Sequence, residues 1–191
     1  MDGAVAVSGG DVRRVPGDAS PWQSIAARLA TTIVVVSAAS GRDCHGMTAD
    51  SFTLVSQDPT LAMVAVAAGS RTHHLLASVP GFGVSVLAEE QAAVATHFAS
   101  RRRSPGIRQF DLVSWETAPR SGAPVLTEAL AWLDCVRRDV VQAGDHVLVV
   151  GEVVAARTRN RAGGPLVRCD RRYQALSPGP DDALRHVRSA V

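Results

Sequence analysis

The chain has 191 residues, 46% of them hydrophobic, enough to bury one sizeable core and no clear second one. Its 20 Lys and Arg against 18 Asp and Glu leave a net charge of +2, too balanced for a protein whose main partner is nucleic acid. No apolar run is long enough to span a bilayer, and Cys44, Cys135 and Cys169 are too scattered for a disulfide framework or a metal cluster, so a cytoplasmic protein without a metal site is expected.

Residues 1–20 carry Gly9-Gly10, Pro16-Gly17 and scattered charges, and read as a flexible arm lacking the pattern of a signal peptide. Order is expected from Ser20-Pro21, a cap and first turn for a helix over residues 22–30. Thr31-Thr32-Ile33-Val34-Val35-Val36 is β-branched throughout and predicts a strand. Ser40-Gly41-Arg42-Asp43 turns it into a second extended segment at 45–48, which makes a hairpin. Apolar runs of strand length follow at 61–67 and 82–87. Between them lies a short helix over 71–78, broken by Val79-Pro80-Gly81, and another short helix is expected over 89–99.

In the C-terminal half, residues 130–139 suit a strand that is polar only at its far end. Gln142-Ala143-Gly144-Asp145 turns the chain into a strand over 146–154, giving a long hairpin, and a last strand is expected at 165–169 after the turn Arg161-Ala162-Gly163-Gly164. Residues 178–191 read as a loose tail. Many short strands, few helices and no βαβ alternation point to a closed or nearly closed antiparallel barrel.

Several segments have both a structural and a ligand-binding reading. Thr48, Ser51, Thr53 and Ser56 either line the exposed face of an edge strand or, with the neighbouring backbone, offer donors and acceptors to a planar heteroaromatic ring. Ser70-Arg71-Thr72 is a helix cap or an anion site built from free N–H groups and a guanidinium. His73 and His74 are adjacent and expected on different helix faces, which argues against a metal pair. Arg101-Arg102-Arg103 is a solvated loop or an attractor of phosphate, Phe98 packs the core or covers a bound ring, and Gly144-Asp145-His146 is a turn that opens a strand.

Taken in order, the stretch from Gly46-Met47-Thr48-Ala49-Asp50-Ser51 to Ser56, then Asp58-Pro59, Ser70-Arg71-Thr72-His73, Ala123-Pro124-Val125-Leu126, Ala131-Trp132-Leu133-Asp134-Cys135, Gly144-Asp145-His146 and Arg171-Arg172-Tyr173 resemble the flavin reductase family. These are the reductase components of two-component monooxygenases. The resemblance covers roughly residues 25–176 and implies a mainly β, antiparallel FMN-binding split barrel with a few short helices over 21–177, working as a homodimer. It implies hydride transfer from NADH, or alternatively NADPH, to FMN or FAD, with reduced flavin diffusing to an oxygenase partner.

The same resemblance assigns flavin contacts to Thr48, Ala49, Asp50, Ser51, Ser56, Ala67, Ser70, Arg71, Thr72 and Phe98, and nicotinamide contacts to His146, Arg172 and Tyr173. Asp50 departs from the neutral Ser or Asn of many relatives, and its carboxylate is repulsive to a reduced flavin unless it points away. Because hydride passes directly between two rings, no catalytic acid, base or nucleophile is expected, and the missing Gly-x-Gly-x-x-Gly fingerprint counts for little. A flavin carrier or sensor without turnover, or an oxidase holding its flavin tightly, are the other readings of the same barrel.

Overall fold

The computed structural model describes residues 21–41, 43–159 and 163–176; the arm expected at 1–20, the tail at 178–191 and part of the turn at 161–164 lie outside them. Helix α1 (Pro21–Arg28) leads into β1 (Thr31–Thr32), β2 (Val34–Ser40), β3 (Asp43–Ala49), β4 (Thr53–Gln57) and β5 (Thr60–Ala67). Helix α2 (Arg71–Ser78), β6 (Gly81–Val86), α3 (Ala92–Ala99), β7 (Trp115–Thr117) and β8 (Pro124–Leu126) follow. The chain then forms β9 (Ala131–Ala143), β10 (His146–Thr158), β11 (Val167–Cys169) and β12 (Arg172–Gln174). Among the described residues no helix is long and apolar enough to cross a membrane.

Seven strands make one sheet in the order β3-β2-β6-β9-β10-β5-β4, and every pairing is antiparallel. Its two edge strands, β3 and β4, are consecutive in sequence yet share no ladder, so the barrel is split rather than closed. Residues 50–52 carry the chain across the split. There Ser51 Oγ donates to the Ala65 carbonyl at 2.8 Å and accepts the Ala65 N–H at 3.2 Å, standing in for a strand partner where β4 has run out. Helix α2 packs against β2, β3, β5 and β10 and buries Leu75 and Leu76 in the barrel interior.

The unbroken β-branched run of β2 has a simple cause: both of its faces are covered. Val34 and Val36 join Phe82, Val84, Val147 and Val149 inside the barrel, while Val35 packs outside it with Phe98 of α3, Phe110 and Leu166. Burying each of these side chains stabilises the fold by about 1.5–3 kcal/mol. The expected single strand from Thr31 is in fact interrupted at Ile33. Thr31 and Thr32 pair with β11 in a separate three-stranded sheet, and Ile33 bridges the two sheets by donating to Leu166 and accepting from Leu87.

The long hairpin of β9 and β10 extends beyond the expected 154, to Thr158, and its pairing carries two register shifts. Gly151, at one of these shifts, has no room for a side chain: an added Cβ would lie 2.7 Å from the Phe82 ring. The chain end also differs from expectation. β11 is followed by a further strand, β12, across a two-residue turn in which Asp170 (φ 49°) and Arg171 (φ 62°) are both left-handed.

Candidate functional site

β3 is an edge strand, and its outer edge is partly occupied by side chains. The buried Gln109 amide acts as a surrogate strand: its Oε1 accepts the Gly46 N–H at 2.8 Å, and its Nε2 donates to the Cys44 carbonyl at 3.0 Å. Arg103 completes the clamp, donating to the Gly46 carbonyl at 2.8 Å and to His45 Nε2 at 3.1 Å. Burial, then the Arg103 and Arg71 charges, push His45 down to about 4, so near neutral pH its ring is uncharged and can accept that bond. Of the three arginines expected in one solvated loop, Arg103 is therefore committed to holding β3, whereas Arg101 and Arg102 are exposed.

By the two-residue alternation of an antiparallel strand, the N–H and C=O of Thr48 face the same open edge as those of Gly46. A cavity of about 250 Å³ lies here, lined by Thr48, Ala49 and Asp50 from β3 and the turn after it, and by Arg168, Arg171 and Tyr173 from the β11–β12 hairpin. Ile33 and Ala99 complete its wall. The Thr48 hydroxyl is turned away, donating to the Ala95 carbonyl of α3 at 2.6 Å, so this residue offers its backbone rather than its side chain. The Asp50 carboxylate is taken by Arg168 at 2.8 Å, which settles where its charge goes. Burial raises the Tyr173 phenol above its ordinary value, with Arg168 pulling the other way.

A second group forms where β5, β10 and α2 meet. His146 lies directly opposite Ala67 in the β5–β10 ladder, and Ser70 N donates back to the Ala67 carbonyl. His146 Nδ1 is 2.8 Å from Asp145 Oδ1, and that bond holds the Asp145 carboxyl below its ordinary range. Ser70 is the cap of α2, its hydroxyl accepting the His73 N–H at 3.1 Å; the Arg71 and Thr72 N–H groups have no acceptor among the described residues. Arg71 pairs with Asp43 at 2.6 Å and stays half exposed. His73 and His74, expected on different faces, stack their rings 5.1 Å apart.

Each group brings together residues expected to contact flavin and residues expected to contact nicotinamide. Tyr173 shares a cavity with Thr48, Ala49 and Asp50, while Ala67 lies opposite His146 and Ser70 bonds back to Ala67; the Arg71 guanidinium reaches Asp43 at the start of β3 instead. Other residues are placed away from either group. Phe98 is wholly buried, its ring 5.0 Å from Phe110, and supports β3 from behind instead of covering a ligand. Thr72 is buried with its hydroxyl against Met47 Sδ, Ser51 is spent on Ala65, and Ser56 lies on the outer edge strand opposite Leu61. Arg172 does not line the cavity; Arg171 does. Arg171 stands in the sequence reading only within Arg171-Arg172-Tyr173; Arg168, Gln109 and the clamping role of Arg103 are missed altogether. Only Arg168 left a signal, as a charge inside the apolar run Pro165-Leu166-Val167 to Cys169.

A family model described as a flavin reductase like domain matches residues 26–177. An NADH-dependent FAD reductase of Streptomyces globisporus is 38% identical over 151 residues, 79% of this chain and 82% of that protein. An NADPH-flavin oxidoreductase of Streptomyces viridifaciens is 40% identical over 141 residues, 73% of this chain and 72% of its own length. Among solved structures, the flavin reductase component of a bacterial two-component tryptophan halogenase superposes with a TM-score of 0.77 at 37% identity, covering 83% of this chain and 98% of that one.

Proposed function

The chain belongs to the flavin reductase like domain family, and from that premise we propose that it reduces FMN or FAD with NADH or NADPH and releases the reduced flavin to an oxygenase partner. The observation that carries this reading is the free backbone edge of β3 at Thr48 opening on a cavity of about 250 Å³. Its lining fits a flat ring with alternating donors and acceptors at one edge. Thr48 offers a paired N–H and C=O, Ala49, Ile33 and Ala99 give apolar walls, and the Asp50 charge is already balanced by Arg168. A bound flavin supplies the hydride-accepting ring system.

The chain's own residues then bind and orient. The Thr48 backbone fixes the ring edge, the apolar wall excludes water, and the first-turn N–H groups of α2 with Arg71 hold a phosphate. His146, its Nδ1 pinned by Asp145, positions the nicotinamide nucleotide. No side chain has to take or give a proton during hydride transfer. The working unit is a homodimer in a reducing cytoplasm. In support, Leu54 and Val55 on the β4 edge are 58% and 50% exposed, an unpaired apolar edge that a second copy can cover. The thiols of Cys44 and Cys135 are pushed up to about 11 and about 12 by burial, which keeps them unreactive.

The deciding experiment follows the loss of reduced-nicotinamide absorbance in the four combinations of NADH or NADPH with FMN or FAD. Flavin-dependent oxidation establishes the reductase and names its substrates, while flavin binding without turnover in any combination makes the protein a carrier or sensor. His146→Ala is expected to raise the nicotinamide KM by about tenfold, the loss of one contact worth about 1.4 kcal/mol, with flavin affinity unchanged. Steady-state kinetics showing the opposite split would remove His146 from the nicotinamide site. For the Asp50–Arg168 pair, Arg168→Ala leaves an unbalanced carboxylate at the cavity and is expected to weaken flavin binding by about fivefold, allowing for solvent screening of a half-exposed pair. Adding Asp50→Ala should recover most of that loss in a fluorescence titration; a double variant as weak as the single one refutes the charge argument.

A further inference from the structure

We propose that Arg171 is a second phosphate-binding residue of this protein, distinct from the anion site at the start of α2, and that it holds a phosphate of one of the two nucleotide substrates. The inference rests on the flavin reductase reading above. Four observations carry it. Arg171 lines the cavity that also holds Thr48, Asp50 and Tyr173. Its guanidinium has no ion pair or hydrogen bond among the described residues, although the other arginine of the cavity, Arg168, is neutralised by Asp50 at 2.8 Å. The cavity therefore presents a cation without a counter-charge, and a guanidinium fork matches the oxygens of a phosphate.

The third observation is conformational. Arg171 sits at φ 62° directly after Asp170 at φ 49°, in a turn position where glycine is the unstrained choice. A bulky side chain held in such a conformation at a cavity wall is a mark of use rather than of folding convenience. The fourth is one of number. The reaction brings two nucleotides together, each bearing phosphate, and the structure offers two separate anion-ready positions. One is the start of α2, where the Arg71 and Thr72 N–H groups have no acceptor among the described residues although the Arg71 guanidinium is paired with Asp43; the other is Arg171 on the β11–β12 turn, whose guanidinium is unpaired there.

The test uses Arg171→Gly in the full chain, because glycine suits the left-handed backbone and removes only the side chain. Its thermal midpoint should equal or exceed that of the parent. Dissociation constants for riboflavin, FMN and FAD come from flavin fluorescence, and KM values for NADH and NADPH from turnover. The expected result is a rise of about tenfold for one class of phosphate-bearing nucleotide, with riboflavin affinity unchanged and part of the loss restored in Arg171→Lys. A rise confined to FMN and FAD assigns the site to the flavin phosphate; a rise confined to the nicotinamide KM assigns it to the nicotinamide pyrophosphate. Equal weakening of riboflavin and FMN, or no change in any constant, overturns the proposal. Because the titrations need no turnover, a protein that binds FMN without oxidising NADH or NADPH defeats the reductase reading alone, and one that binds no nucleotide defeats both.

Discussion

Gln109→Leu is expected to lower the unfolding midpoint by about 10 °C and to weaken flavin binding at the same time. Gln109 is 1% exposed, and its amide satisfies the Gly46 N–H at 2.8 Å, the Cys44 carbonyl at 3.0 Å and the Gly106 carbonyl at 2.7 Å. Leucine fills a similar volume and meets none of them. A buried polar group left unpaired costs about 1–3 kcal/mol, so with partial relaxation the loss is roughly 3–5 kcal/mol. At this chain length each kcal/mol moves the midpoint by about 2–4 °C. The loss reaches the candidate site because Thr48 is two residues further along the same freed edge. Thermal unfolding and a flavin titration on the purified variant check both halves. A midpoint within about 2 °C of the parent would show that β3 is held by something else.

What was legible in the sequence was what local chemistry decides. Helix α2 has the expected bounds because Ser70 caps it and Val79-Pro80 ends it. The β2–β3 and β9–β10 hairpins follow from their turns, and the β-branched run of β2 from its two covered faces. The switch of sheets at Ile33 was not legible, since nothing in Thr31 to Val36 distinguishes a residue that pairs with β11 from one that pairs with β6. β12 was hidden by a left-handed turn built without glycine or asparagine.

The site divides in the same way. The ligand-facing backbone near Thr48 could be proposed from small and hydroxyl residues, but the partners that shape it are far away in the chain. Asp50 meets Arg168 across 118 positions, and Gly46 meets Gln109 across 63. Contacts of that span leave no period or spacing to read. Where two local readings competed, burial decided. Phe98 has no exposed surface and packs the core, the Ser70 hydroxyl accepts the His73 N–H as a cap, and the Asp50 carboxylate is paired with Arg168.

Gly46→Ala should be the most damaging small change in β3. An added Cβ would lie 2.8 Å from Phe110 Cζ and 2.9 Å from Phe98 Cε1, closer than such atoms approach. Neither ring can swing aside, because both have no exposed surface and they pack on each other with centroids 5.0 Å apart. The strand must therefore move, at an overpacking cost of about 1–3 kcal/mol. Movement also pulls Gly46 away from Gln109 and Arg103, which hold its N–H and C=O at 2.8 Å each, so the loss should exceed the packing term alone. The expected outcome is a midpoint lower by about 5–10 °C and flavin affinity reduced several-fold. Gly41→Ala is the control: it carries φ +59° and meets nothing within 4 Å, so it costs backbone strain of about 1–2 kcal/mol and should leave flavin affinity alone. Combining Gly46→Ala with Phe110→Leu frees space for the new methyl, and the pair should cost less than the sum of its parts. Simple additivity would reject crowding as the cause, and wild-type flavin affinity in a destabilised Gly46→Ala protein would separate β3 from the binding site.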